Sequence, residues 1–246
     1  MMSTTPETPT AWPKAVLFDA YGTLFDVHAV VACAEQLFPG HGDALSQLWR
    51  QKQIEYTQLR TLCGPNGEHY RNFWEITGDA LRYAAARLRL TLPPTAEKRL
   101  MDEYACLSAF PDALPVLRQL RDAGVPLGIL SNGTPQMLEI AIKSAGMGGL
   151  FQHVLSVDAV RLYKTTAAAY ALGPKACGAA AREIVFVSSN GWDVCGATWY
   201  GYSTFWVNRA GLPAEELGVA PHGRGRGMAE LPAFLQNGVP PAHRAG

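Results

Sequence analysis

The sequence lacks paired cysteines, an excess of charge of either sign and any long apolar run. Its five cysteines are scattered and form no C-x-x-C pair, so we expect reduced thiols in a cytoplasm, without a zinc site or a disulfide framework. Lys and Arg together number 21, as do Asp and Glu, so no net charge indicates a nucleic-acid or membrane partner. No stretch approaches the ~18 apolar residues of a membrane span, and the first residues lack the basic and apolar parts of a signal peptide. A soluble cytoplasmic protein that binds neither nucleic acid nor membrane is therefore predicted.

Short runs of apolar and β-branched residues recur along the chain, and helical patterns separate most of them. The runs lie at 15–18, 125–130, 153–157, 184–188 and 203–207. Strands that alternate with helices favour right-handed βαβ units, in which a parallel sheet carries helices on both faces. The pattern predicts an α/β fold with a Rossmann-like parallel-sheet core.

About a hundred residues separate the first of these runs from the second, and this segment has a helical pattern. Its apolar residues recur three and four positions apart, so each predicted helix has one face to bury. We expect an all-helical cap domain inserted after the first strand. The predicted regions are a flexible tail at 1–13, a discontinuous α/β core domain at 14–26 and 105–220, the cap domain at 27–104, and a flexible C-terminal end at 221–246.

Polar side chains are predicted to collect at one edge of the sheet. In an open parallel sheet, ligands bind beyond the carboxyl ends of the strands. The polar residues near these ends are, in chain order, Asp19, Thr23, Ser131, Asn132, Lys164, Tyr170, Ser188, Asn190 and Asp193. A doubly wound domain without catalytic function would also carry small polar residues there, but less often two Asp and a Lys together. The combination favours a catalytic site.

Four stretches resemble a known set of motifs. FDAYGTLFDV, SNGT, YK and SSNGWD, in this order and at these spacings, are similar to the four motifs of the haloacid dehalogenase superfamily. With LWRQKQIEYTQLR, which contains Arg50, they most resemble its L-2-haloacid dehalogenase (type II) branch. The resemblance covers about Lys14 to Gly218. It implies a homodimeric (S)-2-haloacid dehalogenase that hydrolyses short L-2-haloalkanoic acids or haloacetates to 2-hydroxy acids and halide.

Two motif positions lack the acids that phosphatases of this superfamily carry. Tyr21 stands where those enzymes have a second Asp that protonates the leaving oxygen, and halide leaves without a proton. Ser188 stands where an acid that holds Mg²⁺ is expected. One or two carboxylates with a Lys would make a poor site for a hard cation. We therefore expect neither a metal nor a cofactor.

The residues and the resemblance together imply a reaction in two steps. Asp19 attacks C2 of the 2-haloacid and expels halide, which leaves an ester on the protein. A water activated by Asp193, with help from Asn190, then attacks the ester carbonyl. Because only the first step involves C2, its configuration inverts once.

The resemblance also implies roles for the other site residues. Lys164 keeps Asp19 ionised, since at ~4 Å and an effective dielectric constant of about 20 their attraction is of order 4 kcal/mol. Thr23 and Ser188 orient the carboxylates by hydrogen bonds. The expected substrate-binding residues are Ser131 for the carboxylate, Tyr170 in support of Lys164, Arg50 and Asn132 for the departing halide, and Tyr21, Phe73 and Trp192 around the substrate. The chain departs from the family pattern after Lys164, where Thr165 replaces a proline and so lacks its φ restraint.

Three other interpretations stay open. A Mg²⁺-dependent phosphatase of the same fold would be sensitive to EDTA. A phosphonate hydrolase would need a Schiff-base lysine in the cap, for which Lys52 is the candidate. A catalytically silent protein that binds a partner through the cap would release no halide.

Overall fold

The computed structural model of the chain, which describes residues 12–237, is built around a six-stranded sheet whose neighbouring strands are all parallel. The strands are β1 (Ala15–Phe18), β2 (Leu127–Ser131), β3 (His153–Ser156), β4 (Ile184–Ser188), β5 (Ser203–Val207) and β6 (Gly223–Gly225). Their order is β3-β2-β1-β4-β5-β6, which places the first strand of the chain in the middle of the sheet. The prediction of an α/β fold with a Rossmann-like parallel sheet is confirmed.

Within residues 12–237, five helices lie between β1 and β2 and five follow β2. They are α1 (Val31–Leu37), α2 (Gly42–Cys63), α3 (Phe73–Arg87), α4 (Pro94–Ala105), α5 (Ala113–Asp122), α6 (Pro135–Ser144), α7 (Ala167–Tyr170), α8 (Leu172–Cys177), α9 (Gly191–Tyr200) and α10 (Leu231–Gln236). Local sequence explains where several of them begin. Asn72 and Glu75 form a capping box at the start of α3, and Thr134 caps α6 directly before Pro135.

Apolar side chains cover both faces of the sheet. Along β1, Val16 and Phe18 belong to one buried cluster, whereas Ala15 and Leu17 belong to another, as the alternation of a strand requires. The first cluster continues into the helices between β1 and β2 and includes Trp49. This helical segment therefore packs directly on the sheet through apolar contacts.

The C-terminal residues differ from the expected flexible end. Residues 223–225 form β6 beside β5, and the Phe234 ring on α10 packs on Phe205 with ring centroids 5.1 Å apart. A Cβ at Gly223 would lie 2.5 Å from the Phe234 ring, so this close approach requires glycine. A three-residue edge strand pairs through its backbone alone, and its Gly-rich sequence has no apolar alternation that would predict it.

Other parts of the predicted domain organisation remain predictions. Residues 1–11 of the predicted tail and 238–246 of the predicted flexible end lie outside the described residues. The division into a cap domain at 27–104 and a core domain at 14–26 and 105–220 stays a prediction. Within residues 12–237, none of the helices has the length and apolar character needed to cross a bilayer.

Candidate active site

Two carboxylates and one ammonium group meet at the carboxyl edge of the sheet. Asp19 directly follows β1, Asp193 lies in the first turn of α9, and Lys164 precedes α7. Lys164 Nζ lies 3.0 Å from Asp19 Oδ1 and 2.9 Å from Asp193 Oδ2. All three side chains are buried. The sheet therefore brings together the three ionisable residues that the motifs singled out.

The charges of this cluster depend on one another. Burial disfavours the ammonium of Lys164, but Asp19 and Asp193 together outweigh this effect and raise the pKa of Lys164. Burial raises the pKa of Asp193 and outweighs the opposing attraction of Lys164. Removing one partner of a buried ion pair leaves the other charge unpaired, and this costs about 3–5 kcal/mol of folding free energy. Lys164 therefore offsets the cost of burying two carboxylates at this site.

Neutral donors fix the second oxygen of Asp19. Asp19 Oδ2 accepts hydrogen bonds from Thr23 Oγ1 at 2.9 Å and from Asn190 Nδ2 at 2.8 Å. Ser188 Oγ lies 3.5 Å from the same oxygen, at the limit of a hydrogen bond, and accepts one from the Asn190 N–H at 3.1 Å. The Thr23 hydroxyl also accepts from the Ser189 N–H at 2.8 Å. These contacts join the loops after β1 and β4, which are neighbouring strands, and fix the orientation of the Asp19 carboxylate.

Tyr170 does not have the position expected of a substrate-binding residue. Its hydroxyl donates to Asp193 Oδ1 at 2.7 Å, and Lys164 is not its partner. The reason is that α7 packs against α9, so that a residue six positions after Lys164 reaches Asp193. Tyr170 is fully buried beneath the cluster and orients the second carboxylate.

Side-chain hydrogen bonds restrain the loop that carries Lys164, where the family pattern has a proline. Asn132 Oδ1 accepts a hydrogen bond from the Lys164 N–H at 3.1 Å. Thr166 Oγ1 donates to the Tyr163 carbonyl at 2.8 Å and caps α7. Thr166 was not among the predicted site residues, although a Thr directly before a helix is a capping signal in the sequence.

A cavity of about 10 Å³ lies beside Asp19. Its lining residues are Asp19, Tyr21, Arg50, Ile54, Phe73, Ser131, Asn132, Asn190 and Trp192. The set contains every predicted substrate-binding residue except Tyr170. Ile54 was not among the predicted site residues. The sequence feature that could have identified it is its position one helical turn after Arg50 on α2. A larger cavity of about 610 Å³, between α4 and α6, is lined by none of these residues.

Arg50 reaches the cavity from the helical segment. Its Nη2 donates to the Tyr21 carbonyl at 3.0 Å and to Asn190 Oδ1 at 3.3 Å. Its Nη1 donates to Gln53 Oε1 at 2.7 Å. The guanidinium therefore connects α2 to the loops after β1 and β4.

Tyr21 contributes an aromatic wall with a polar end. Its ring stacks on Tyr104 at an interplanar angle of 11° and lies 5.6 Å from the Phe73 ring, centroid to centroid. Its hydroxyl is buried and has no hydrogen-bond partner in the described part of the chain. Burial raises the pKa of Tyr21, so the group is neutral and can donate to a ligand at neutral pH.

The residues that two of the alternative chemistries would use can be located in the described part of the chain. Within residues 12–237, His, Cys, Asp and Glu side chains form no group of three that could hold a metal ion. Lys52 pairs with Glu55 at 2.5 Å and lies over the Tyr56 and Tyr83 rings, outside the cavity lining. A Schiff base at Lys52 would therefore form away from Asp19.

Comparisons with known proteins agree with this arrangement. A sequence model of the haloacid dehalogenase-like hydrolases matches residues 13–201. The chain is 40% identical to an (S)-2-haloacid dehalogenase of Pseudomonas putida, over 92% of this chain and 98% of that protein. The crystal structure of the L-2-haloacid dehalogenase RSc1362 superimposes with a TM-score of 0.90 at 67% identity, over 92% of this chain and all of that one. The L-2-haloacid dehalogenase of Xanthobacter autotrophicus with chloropropionic acid covalently bound matches with a TM-score of 0.83 at 36% identity, over 91% and 98% of the two chains.

Proposed function

The chain belongs to the haloacid dehalogenase-like hydrolase family, and we propose that it acts as an (S)-2-haloacid dehalogenase. It hydrolyses the carbon–halogen bond of short L-2-haloalkanoic acids or haloacetates and forms 2-hydroxy acids and halide. One observation carries this conclusion: the Asp19 carboxylate, held by Lys164, shares a small cavity with the Arg50 guanidinium. A carboxylate nucleophile and a cation for the leaving anion are the two groups that such a displacement needs.

In the first step, Asp19 attacks C2 of the bound haloacid. The new C–O bond forms as the C–halogen bond breaks, and the halide leaves with the bonding electrons toward Arg50. Ser131 Oγ accepts from the Gly133 N–H at 3.0 Å, so its own proton is free to be donated to the substrate carboxylate. The apolar side chains of Phe73 and Trp192 line the cavity around C2.

In the second step, water attacks the carbonyl carbon of the Asp19 ester and Asp193 takes up its proton. The ester C–O bond to Asp19 breaks on the carbonyl side, and the departing alkoxide takes the proton back from Asp193 to become the hydroxyl group of the product. The hydroxy acid thus keeps the oxygen that came from the carboxylate, and the proton of the new Asp19 carboxyl is released to solvent. C2 is thus inverted once, and the L-substrate yields the D-2-hydroxy acid. Lys164 compensates the negative charge on Asp193 and on the returning Asp19 carboxylate.

A single turnover with excess protein in heavy-oxygen water tests this mechanism. We expect the label in the Asp19 carboxylate, detected by mass spectrometry of the peptide, and none in the hydroxy acid. The variant Asp19→Asn is expected to release halide at least about 10³-fold more slowly. Label in the released hydroxy acid would exclude the ester mechanism.

The phosphatase alternative is tested with the same halide-release assay. Because Tyr21 and Ser188 stand where the phosphatases have acids, we expect the same rate with and without EDTA. Loss of halide release in EDTA, restored by Mg²⁺, would contradict a metal-free reaction, and Mg²⁺-dependent release of phosphate from phosphate esters without any halide release would favour the phosphatase. Absence of both halide release from every L-2-haloacid and phosphate release would favour the silent partner-binding protein.

We also propose that the protein is a cytoplasmic homodimer. Support for a dimer comes from exposed apolar side chains on neighbouring helices, Leu59 and Leu62 on α2 and Tyr83 on α3. Support for a reducing compartment comes from the cysteines, all of which are free thiols.

A further inference from the structure

The three acceptors that hold the Arg50 guanidinium are all uncharged. They are the Gln53 side-chain oxygen, the Tyr21 carbonyl and the Asn190 side-chain oxygen. In the described part of the chain, no carboxylate lies within 4.0 Å of Arg50. The guanidinium is thus fixed in place without being neutralised.

Gln53 provides the shortest of these hydrogen bonds and is itself held from behind. Its Nε2 donates to Thr77 Oγ1 at 2.6 Å and to the Tyr104 hydroxyl at 3.1 Å. The Thr77 hydroxyl in turn donates to the Phe73 carbonyl at 2.6 Å. The direction of this chain fixes the amide, since a flipped Gln53 would turn its NH₂ group toward Arg50.

The partners of Gln53 lie on two other helices of the segment. Gln53 is on α2, Thr77 on α3 and Tyr104 on α4, and Gln53 and Thr77 are 0% exposed. Neither Gln53 nor Thr77 lines the cavity, so neither touches the substrate. Because the Gln53 amide is bonded to residues on α3 and α4 as well as to Arg50, the packing of three helices fixes the position of the guanidinium.

We propose that Gln53 is a positioning residue that holds the Arg50 guanidinium at the cavity while leaving its positive charge available to the departing halide. The proposal rests on the proposed dehalogenase function, in which Arg50 binds the leaving group. A glutamate at position 53 would fit the same space and pair with Arg50, which would cancel the charge that the halide needs. Neutrality of the side chain is therefore required.

The variant Gln53→Glu tests the requirement for neutrality. We expect kcat with L-2-chloropropanoate to fall at least about tenfold and the inhibition constant of bromide to rise at least about tenfold, because the lost interaction is one made with the leaving anion. KM should change less, since other residues bind the substrate carboxylate. A purely structural role would lower the melting temperature but leave kcat of the folded protein and bromide inhibition unchanged.

A second pair of variants acts at a distance from Arg50. Thr77→Val removes an acceptor of the Gln53 amide, whereas Thr77→Ser keeps the hydroxyl. We expect a weaker form of the Gln53→Glu phenotype in Thr77→Val, about threefold in both constants, and a return to wild-type values in Thr77→Ser. This pair decides the matter if Gln53→Glu does not fold.

The outcomes separate this inference from the proposed function. If the wild type releases halide and folded Gln53→Glu shows unchanged kcat and bromide inhibition, the inference about Gln53 is wrong and the dehalogenase function stands. If the wild type releases no halide, the proposed function is wrong, and calorimetric titration with bromide decides the inference. Equal bromide affinity of wild type and Gln53→Glu would then overturn it.

Discussion

Lys164 pairs with both Asp19 and Asp193, and the charges of this cluster determine how the activity should depend on pH. Because burial raises the pKa of Asp193, its base form is lost as the pH falls through a value above the usual 3.8. Because Asp193 acts in the ester hydrolysis that follows halide departure, we expect the acidic limb of kcat to lie above pH 3.8. The raised pKa of Lys164 means that its stabilising charge is fully present below the usual 10.5 and is lost only as the pH rises above it.

Tyr170→Phe tests the origin of this limb. The hydrogen bond from Tyr170 lowers the pKa of Asp193, so its removal should move the acidic limb of kcat to higher pH. Tyr163→Phe is the matched control, since the Tyr163 hydroxyl donates to the Arg71 carbonyl and not to the cluster. A limb that stays in place in Tyr170→Phe, or moves to lower pH, would show that Asp193 is not the group that titrates.

At the scale of elements, Gly133 between β2 and α6 leaves the space that the Tyr21 ring occupies. A Cβ on Gly133 would lie 2.6 Å from Tyr21 Cε2 and 3.4 Å from Ser131 Oγ. Gly133→Ala should therefore displace the Tyr21 ring, destabilise the fold by about 1–3 kcal/mol in urea unfolding and lower kcat/KM by about tenfold.

Gly148→Ala is the control for this prediction. Gly148 follows α6 in an exposed turn, and nothing lies within 4 Å of a Cβ built there. We expect both stability and kcat/KM of this variant to stay close to the wild-type values. Wild-type kinetics in Gly133→Ala would show that the junction does not constrain Tyr21.

At the scale of the whole molecule, the helical segment presents an apolar surface to solvent. Leu62 is 76% exposed and Leu59 47% exposed at the end of α2. If these side chains form the proposed dimer interface, Leu62→Glu should convert the dimer to a monomer, as measured by light scattering after size exclusion. Leu212→Glu, at a residue 59% exposed in the loop after β5, should leave the dimer intact. A monomeric wild type would contradict the proposal.

Most of the sheet and the meeting of the charged residues could be predicted from the sequence. Strand and helix patterns are local, and parallel strands all end at one edge, so Asp19, Lys164 and Asp193 were expected to lie together. The edge strand β6 could not be predicted, because glycines carry no apolar alternation. The partner of Tyr170 could not be predicted either, because it depends on how α7 packs on α9.

The sequence by itself determined the fold class and led to Asp19 and Lys164 as the proposed nucleophile and its counter-ion, because motif order and strand periodicity can be read directly along the chain. Only the tertiary structure decided how Arg50 is held. Gln53 is 24 positions from Thr77 and 51 from Tyr104 along the chain. Their contacts exist because three helices pack in one register, and hydrogen bonds between helices leave no local periodicity in the sequence.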